Sequence, residues 1–199
     1  MNTTPSLEFW FDFGSNYSYL AMMRIGALAA ERGVDVLFKP FLLGPIFKSF
    51  GWETSPFVLQ PKKGEYTWRD MQRQCEKYGL PWKKPSVFPR RALLPMRLAI
   101  AAAGEPWLPE FCRQVMHANF AQDREVDDPA TVTQVLTRLE VAPAEWIALA
   151  QGDAAKSALR AQSDEAARRG MFGAPMFFIG AEMFWGNDRL EEALAFARS

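Results

Sequence analysis

Residues 7–20 read Leu7-Glu-Phe-Trp-Phe-Asp-Phe-Gly-Ser-Asn-Tyr-Ser-Tyr-Leu20. Residues 7–13 are almost wholly apolar and aromatic, interrupted by Glu8 and Asp12, and predict a buried strand. Gly14 and Ser15 predict a tight turn, and Ser15 is a residue type favoured as the cap of a helix. Residues 17–32 then set Tyr17, Leu20, Ala21, Ile25, Leu28 and Ala29 on one side, a helical pattern. Gly33 stops that helix. Val34 to Leu43 predicts a second strand. A strand, a helix and a strand over residues 7–43 make a βαβ unit.

Composition narrows the rest. A chain of 199 residues suits one domain, with room for a large insertion. With 16 Phe and 7 Trp it can bury a sizeable core, which argues against disorder. Basic and acidic side chains balance at 23 each, so nothing points to nucleic acid. The start, Met1-Asn-Thr-Thr-Pro-Ser, lacks a basic region and an apolar run, and no stretch is long enough to span a bilayer. A cytoplasmic protein without membrane contact is expected. Cys75 and Cys112 are far apart and read as reduced packing residues. His117 has no ligand-spaced partner, so no metal site is expected. No Gly-x-Ser-x-Gly elbow supports a serine hydrolase.

From Gly44 to about Arg169 strand signals are few. Residues 45–50, 66–79, 91–104, 107–121, 129–140 and 143–169 predict helices or helix pairs punctuated by Pro and Gly. Residues 51–65 predict a loop. Strand returns at Pro175-Met-Phe-Phe-Ile-Gly180 and Glu182-Met-Phe-Trp185. Gly186-Asn187-Asp188 opens a last helix. The order βαβ, helical block, ββα predicts an α/β fold: a thioredoxin-like mixed sheet with a large inserted all-helical subdomain. The expected division is 1–43 plus 170–199 for the sheet domain and 44–169 for the insertion. In that fold Ser15 and Ser18 stand where a Cys-x-x-Cys pair would stand, which suggests that the thiol comes from outside.

Four stretches together carry a resemblance: Phe-Asp-Phe-Gly-Ser-Asn-Tyr-Ser-Tyr-Leu at 11–20, Pro-Phe-Leu-Leu-Gly-Pro-Ile-Phe-Lys at 40–48, Pro-Lys-Lys-Gly-Glu-Tyr at 61–66, and Phe-Gly-Ala-Pro-Met-Phe-Phe-Ile-Gly with Phe-Trp-Gly-Asn-Asp-Arg-Leu at 172–190. In this order, over nearly the whole length, the chain resembles the 2-hydroxychromene-2-carboxylate isomerases. These are relatives of kappa-class glutathione transferases in the DsbA-like branch of the thioredoxin fold.

The resemblance implies roles. Ser15, which by itself reads equally well as a helix cap, becomes the residue that activates the thiol of glutathione. Ala174-Pro175, by base rate an ordinary trans proline, becomes a cis-proline loop whose backbone pairs with glutathione as an added strand would. Asn187 and Asp188, otherwise caps of the last helix, become γ-glutamyl contacts. Lys63, otherwise a solvated loop lysine, becomes a partner of a glutathione carboxylate. Tyr17, Lys48, Trp52 and Glu53 are the residues expected to meet substrate, and Trp185 is a pocket wall or core. The run Lys83-Lys84, Arg90-Arg91 and Arg97 reads mainly as surface. Two departures stand out. Asn16 follows the serine where many relatives carry proline. Trp52-Glu53 follows Gly51 where relatives often carry asparagine, and Glu53 would repel an acidic substrate unless paired.

The implied function is glutathione-dependent isomerisation of a chromene carboxylate or its ring-opened aryl pyruvate in aromatic breakdown, by a homodimer. The alternative is a kappa-like transferase or peroxidase acting on other electrophiles. A disulfide oxidoreductase is disfavoured, since neither Ser15 nor Ser18 can form a disulfide. A non-catalytic binding module would fail to bind glutathione.

Overall fold

A computed structural model describes residues 4–198. The strands β1 (Ser6–Phe11), β2 (Asp35–Pro40), β3 (Met176–Ile179) and β4 (Glu182–Trp185) form one sheet in the order β2-β1-β3-β4. β1 runs parallel to β2 and antiparallel to β3, and β3 runs antiparallel to β4. Helix α1 (Asn16–Arg32) makes the crossover from β1 to β2. Between β2 and β3 every element is helical: α2 (Leu43–Ser49), α3 (Pro56–Leu59), α4 (Pro61–Tyr78), α5 (Leu93–Ala101), α6 (Leu108–Phe120), α7 (Pro129–Arg138), α8 (Pro143–Gln151) and α9 (Asp153–Arg168). A 3₁₀ turn, Asn187–Arg189, and α10 (Leu190–Phe196) close the chain. None of these helices is long and apolar enough to cross a membrane.

The near-continuous apolar run of β1 follows from its central place, since both of its faces are covered. Alternation assigns the faces. Leu7, Phe9 and Phe11 enter the main core with α1, α5 and α6, while Trp10 enters a second cluster with Phe41, Ile46, Met176 and Phe178. Glu8 is tolerated because it accepts from Trp10 Nε1 at 2.9 Å and pairs with Arg169.

The strands end earlier than the apolar pattern predicts. β1 stops at Phe11 because Asp12 begins the turn, its carbonyl taking the Ser15 amide at 2.9 Å and its carboxylate the Gly14 amide at 2.8 Å. β2 stops at Pro40 because the other Asp12 oxygen takes the Leu43 amide at 2.9 Å and turns the chain into α2. The predicted loop at 51–65 is instead largely helical. Pro56 and Pro61 occupy first-turn positions, where a missing N–H costs nothing, and Ser55 caps α3 by accepting from Phe57 N. The predicted segment 143–169 divides at Gly152 into two helices.

Candidate active site

A cleft of about 910 Å³ lies between the ends of the sheet elements and the helices inserted after β2. Ser15 lies at its base and opens α1. As the cap of that helix, its hydroxyl oxygen accepts from Ser18 N at 3.2 Å. The same hydroxyl donates to Ala174 O at 3.1 Å, and the Ala174–Pro175 peptide is cis. Two segments more than 150 residues apart in sequence thus meet through one hydroxyl. A second cis peptide, Phe88–Pro89, which the sequence did not suggest, also lines the cleft, with Pro89 beside the Gly14 turn.

The turn carrying Ser15 is braced from behind. Asn119 Nδ2 donates to Phe13 O at 2.9 Å, and Asn119 Oδ1 receives Arg90 Nη1 at 3.0 Å. Arg90 also donates to Asp123 Oδ1 and Arg124 O, each at 2.8 Å, and to Ser86 Oγ at 3.2 Å. Gly14 permits this closeness, for a Cβ there would stand 3.0 Å from Arg90 O. Arg90 is therefore a buried strut, which corrects its reading as a surface cation. Arg91 does stay exposed, paired with Asp127 at 3.0 Å. The Asp123 carboxyl is held well below its ordinary range, first by the Ser86 amide and then by Arg90. Asp12 lies at the cleft base, where burial pushes its carboxyl above the usual range against the pull of the Leu43 and Gly14 amides.

The far wall comes from α3, α4 and the loop before α5. Tyr17 donates to Asp70 Oδ2 at 2.9 Å. Burial first, and Asp70 second, push the Tyr17 phenol above its ordinary range, so it stays protonated. Lys63 stands in the first turn of α4 and not on a loop, 6.0 Å from the centre of the Phe57 ring. Gly64 sets that geometry, since a Cβ there would lie 2.2 Å from Phe57 O. Glu53 lines the cleft and has no charged or hydrogen-bonding partner among the described residues. On the near wall Asn187 is buried, its Oδ1 receiving Arg24 Nη1 at 3.3 Å, and Asp188 is exposed beside it. Trp185, 55% exposed, packs edge-on to Phe172 at 4.9 Å and forms a rim.

The cleft therefore gathers Ser15, Tyr17, Glu53, Lys63, Ala174, Asn187 and Asp188, with Pro175 just behind Ala174. Lys48 and Trp52 are not among its lining residues. Lys48 is exposed, because Ile46 and Phe47 beside it take the buried face of α2, and Trp52 packs on Phe47 and Phe50. Asn187 opens a 3₁₀ turn ahead of a seven-residue helix, so any anion there would be met by side chains more than by a helix dipole. Asp12, Asn119 and the strut role of Arg90 were missed. An acidic residue at the end of an apolar strand was the one available signal, and it pointed to Asp12.

The chain matches the DSBA-like thioredoxin domain family over residues 6–196. It is 30% identical over 190 residues to a 2-hydroxychromene-2-carboxylate isomerase of Pseudomonas sp. (strain C18), covering 92% of this chain and 86% of the relative. It is 24% identical over 204 residues to glutathione S-transferase kappa 2 of Caenorhabditis elegans, covering 96% and 90%. A solved 2-hydroxychromene-2-carboxylate isomerase superposes with a TM-score of 0.87 at 26% identity, covering 97% of this chain and 95% of that one.

Proposed function

Because this chain belongs to the DsbA-like thioredoxin family, among the 2-hydroxychromene-2-carboxylate isomerases and their kappa-class transferase relatives, we propose that it is a glutathione-dependent isomerase of a chromene carboxylate or aryl pyruvate. It is an enzyme by kinship; the reaction and the cofactor are our reading. One observation carries it: a serine hydroxyl at the mouth of a 17-residue helix, 3.1 Å from the carbonyl before a cis-proline, at the base of a cleft.

The residues fit glutathione by chemistry. Ser15 and the opening turn of α1 suit an anionic sulfur. The Ala174 backbone suits a peptide, Asp188 an ammonium, and Lys63, which has no carboxylate partner, a carboxylate. Bound glutathione would supply a thiolate that adds reversibly to a conjugated carbon, making the former double bond single so that it can rotate before it re-forms as the thiolate leaves.

Ser15 supplies the bias toward the anion. Holding a thiol about two units below its ordinary ~8.5 needs roughly 2.7 kcal/mol. A hydroxyl hydrogen bond to a charged group contributes about 1.5–3 kcal/mol, and the helix mouth about 0.3–1 kcal/mol. To donate to sulfur the hydroxyl must turn from Ala174 O. That carbonyl is then open to a peptide N–H, so the exchange leaves no acceptor unpaired. Ser18 N–H continues to hold the oxygen throughout. Tyr17, kept neutral, and the aromatic wall of Phe57 and Phe88 orient a flat substrate. By the same reading the protein works in the cytosol as a homodimer.

Glu53 favours a second reading, a kappa-like transferase, because an unpaired carboxylate in the cleft disfavours acidic substrates and tolerates neutral electrophiles. Purified protein is assayed on the chromene substrate with and without glutathione. Turnover that requires glutathione and does not consume it is expected. Equal turnover without it overturns the isomerase proposal, and accumulation of a stable conjugate supports the transferase.

A further inference from the structure

We infer that Asn16 is a second hydrogen-bond donor to the sulfur anion, acting beside Ser15. This rests on the glutathione reading above.

Asn16 is the first residue of α1 and lines the cleft, yet it is 1% exposed. Its Nδ2 is buried with no hydrogen-bond partner. A buried amide donor without a partner is costly and needs an explanation. Structure does not supply one. The capping bond of α1 already comes from Ser15, and the first helical position favours residues such as proline that bring no polar side chain. Ser18 Oγ is also unpartnered, but Ser18 does not line the cleft, so the argument applies to Asn16 alone.

The chemistry of the amide selects the ligand. Asn offers two N–H donors at one end and a carbonyl at the other. A half-turn about χ2 exchanges them, and no hydrogen bond from Nδ2 opposes that turn. An anion at the mouth of α1 is met best by the N–H end. Of the acids lining the cleft, Asp12 accepts the Gly14 and Leu43 amides, Asp70 accepts from Tyr17 and Arg73, and the unpaired Glu53 takes no hydrogen bond from Asn16. Asn16 is thus left for the same anion that Ser15 faces, and two donors lower its pKa further than one.

The test reads the thiol directly. Glutathione is bound to wild-type protein and to Asn16→Ala, Asn16→Pro and Asn16→Asp, and the thiolate absorbance is followed against pH, with affinity from calorimetry and folding from circular dichroism. Asn16→Ala and Asn16→Pro are expected to raise the bound-thiol pKa by about one unit, a tenfold shift in the thiol–thiolate equilibrium. Asn16→Asp, nearly the same shape with a carboxylate, should raise it more. An unchanged thiol pKa in Asn16→Ala and Asn16→Pro, while Ser15→Ala raises it, overturns the inference and leaves the reading of Ser15 standing. Loss of turnover without a pKa change overturns it as well. If wild-type protein does not bind glutathione, both fail, and calorimetry on the wild type alone separates that outcome.

Discussion

The two walls of the cleft use polarity in opposite ways. On the sheet side the polar groups sit at the ends of elements: the Ser15 cap, Asn16 behind it, the Ala174 carbonyl and Asn187. Several face the cleft with hydrogen-bonding capacity to spare. On the helical side most polar groups are spent on one another. Tyr17 is tied to Asp70, Asp70 to Arg73, Arg90 to Asp123, and Arg91 to Asp127. Among the described residues lining the cleft on that side, Glu53 and Lys63 are left without an ionic partner. The contrast divides the labour: the sheet side meets a charged ligand, and the helical side shapes a pocket around an apolar one.

The strongest way to break this contrast is to cut the helical side's strut. Arg90→Leu leaves the buried Asn119 carbonyl without its donor and Asp123 without its arginine, and the stranded acceptor should cost on the order of 1–3 kcal/mol, measured by urea unfolding. The pH dependence has a definite sign. Asp123 has a depressed pKa when folded, so its contribution is complete above its unfolded value of ~4 and is lost as pH falls below that. In Arg90→Leu the acid limb of stability should therefore flatten in part, since the Ser86 amide still holds the carboxylate. A variant as stable as the parent would show that Arg90 is an ornament of the wall and no brace.

Ser15→Ala probes the other side. The loss of one hydrogen bond to an anion predicts a fall in turnover of about 10- to 100-fold at neutral pH, shrinking as pH rises past the free-thiol pKa. Loss of the cap should cost only about 1 kcal/mol of stability. A defect that stays constant across pH would remove the anion role and leave the cap.

The smallest effect is expected at the cysteines. Burial pushes the Cys75 thiol up to about 12 and holds the Cys112 thiol well above its ordinary value. Neither should react with a thiol reagent until the protein unfolds, and replacing both with serine should leave the pH profile of turnover unchanged. Fast labelling in native buffer would mean that a protein thiol competes with the external one.

The residues differ in how far their own surroundings reveal them. Ser15 could be read because capping is a local act: a small hydroxyl before a helical pattern places itself. Gly33 could be read for the same reason, and it stops α1 in the left-handed conformation at φ 60°. Lys48 could not be placed, because which side of α2 faces the cleft depends on where Ile46 and Phe47 are buried. Lys63 falls in the stretch 51–65 that reads as a loop, whereas Pro56 and Pro61 there each open a helix. Arg90 looked like a solvated cation in a basic run, and only Asn119, Asp123 and Arg124 around it make it a strut.

From residues in a row came the strand–turn–helix at the start, the order of elements, and the serine at the helix mouth. Each rests on periodicity or on hydrogen bonds within a few positions. From packing alone came the bond from Ser15 to Ala174, the support of Phe13 by Asn119 and Arg90, and the silent amide of Asn16. Those depend on which distant groups burial forces together, and a side chain's partners are set by the space that remains once the core has closed.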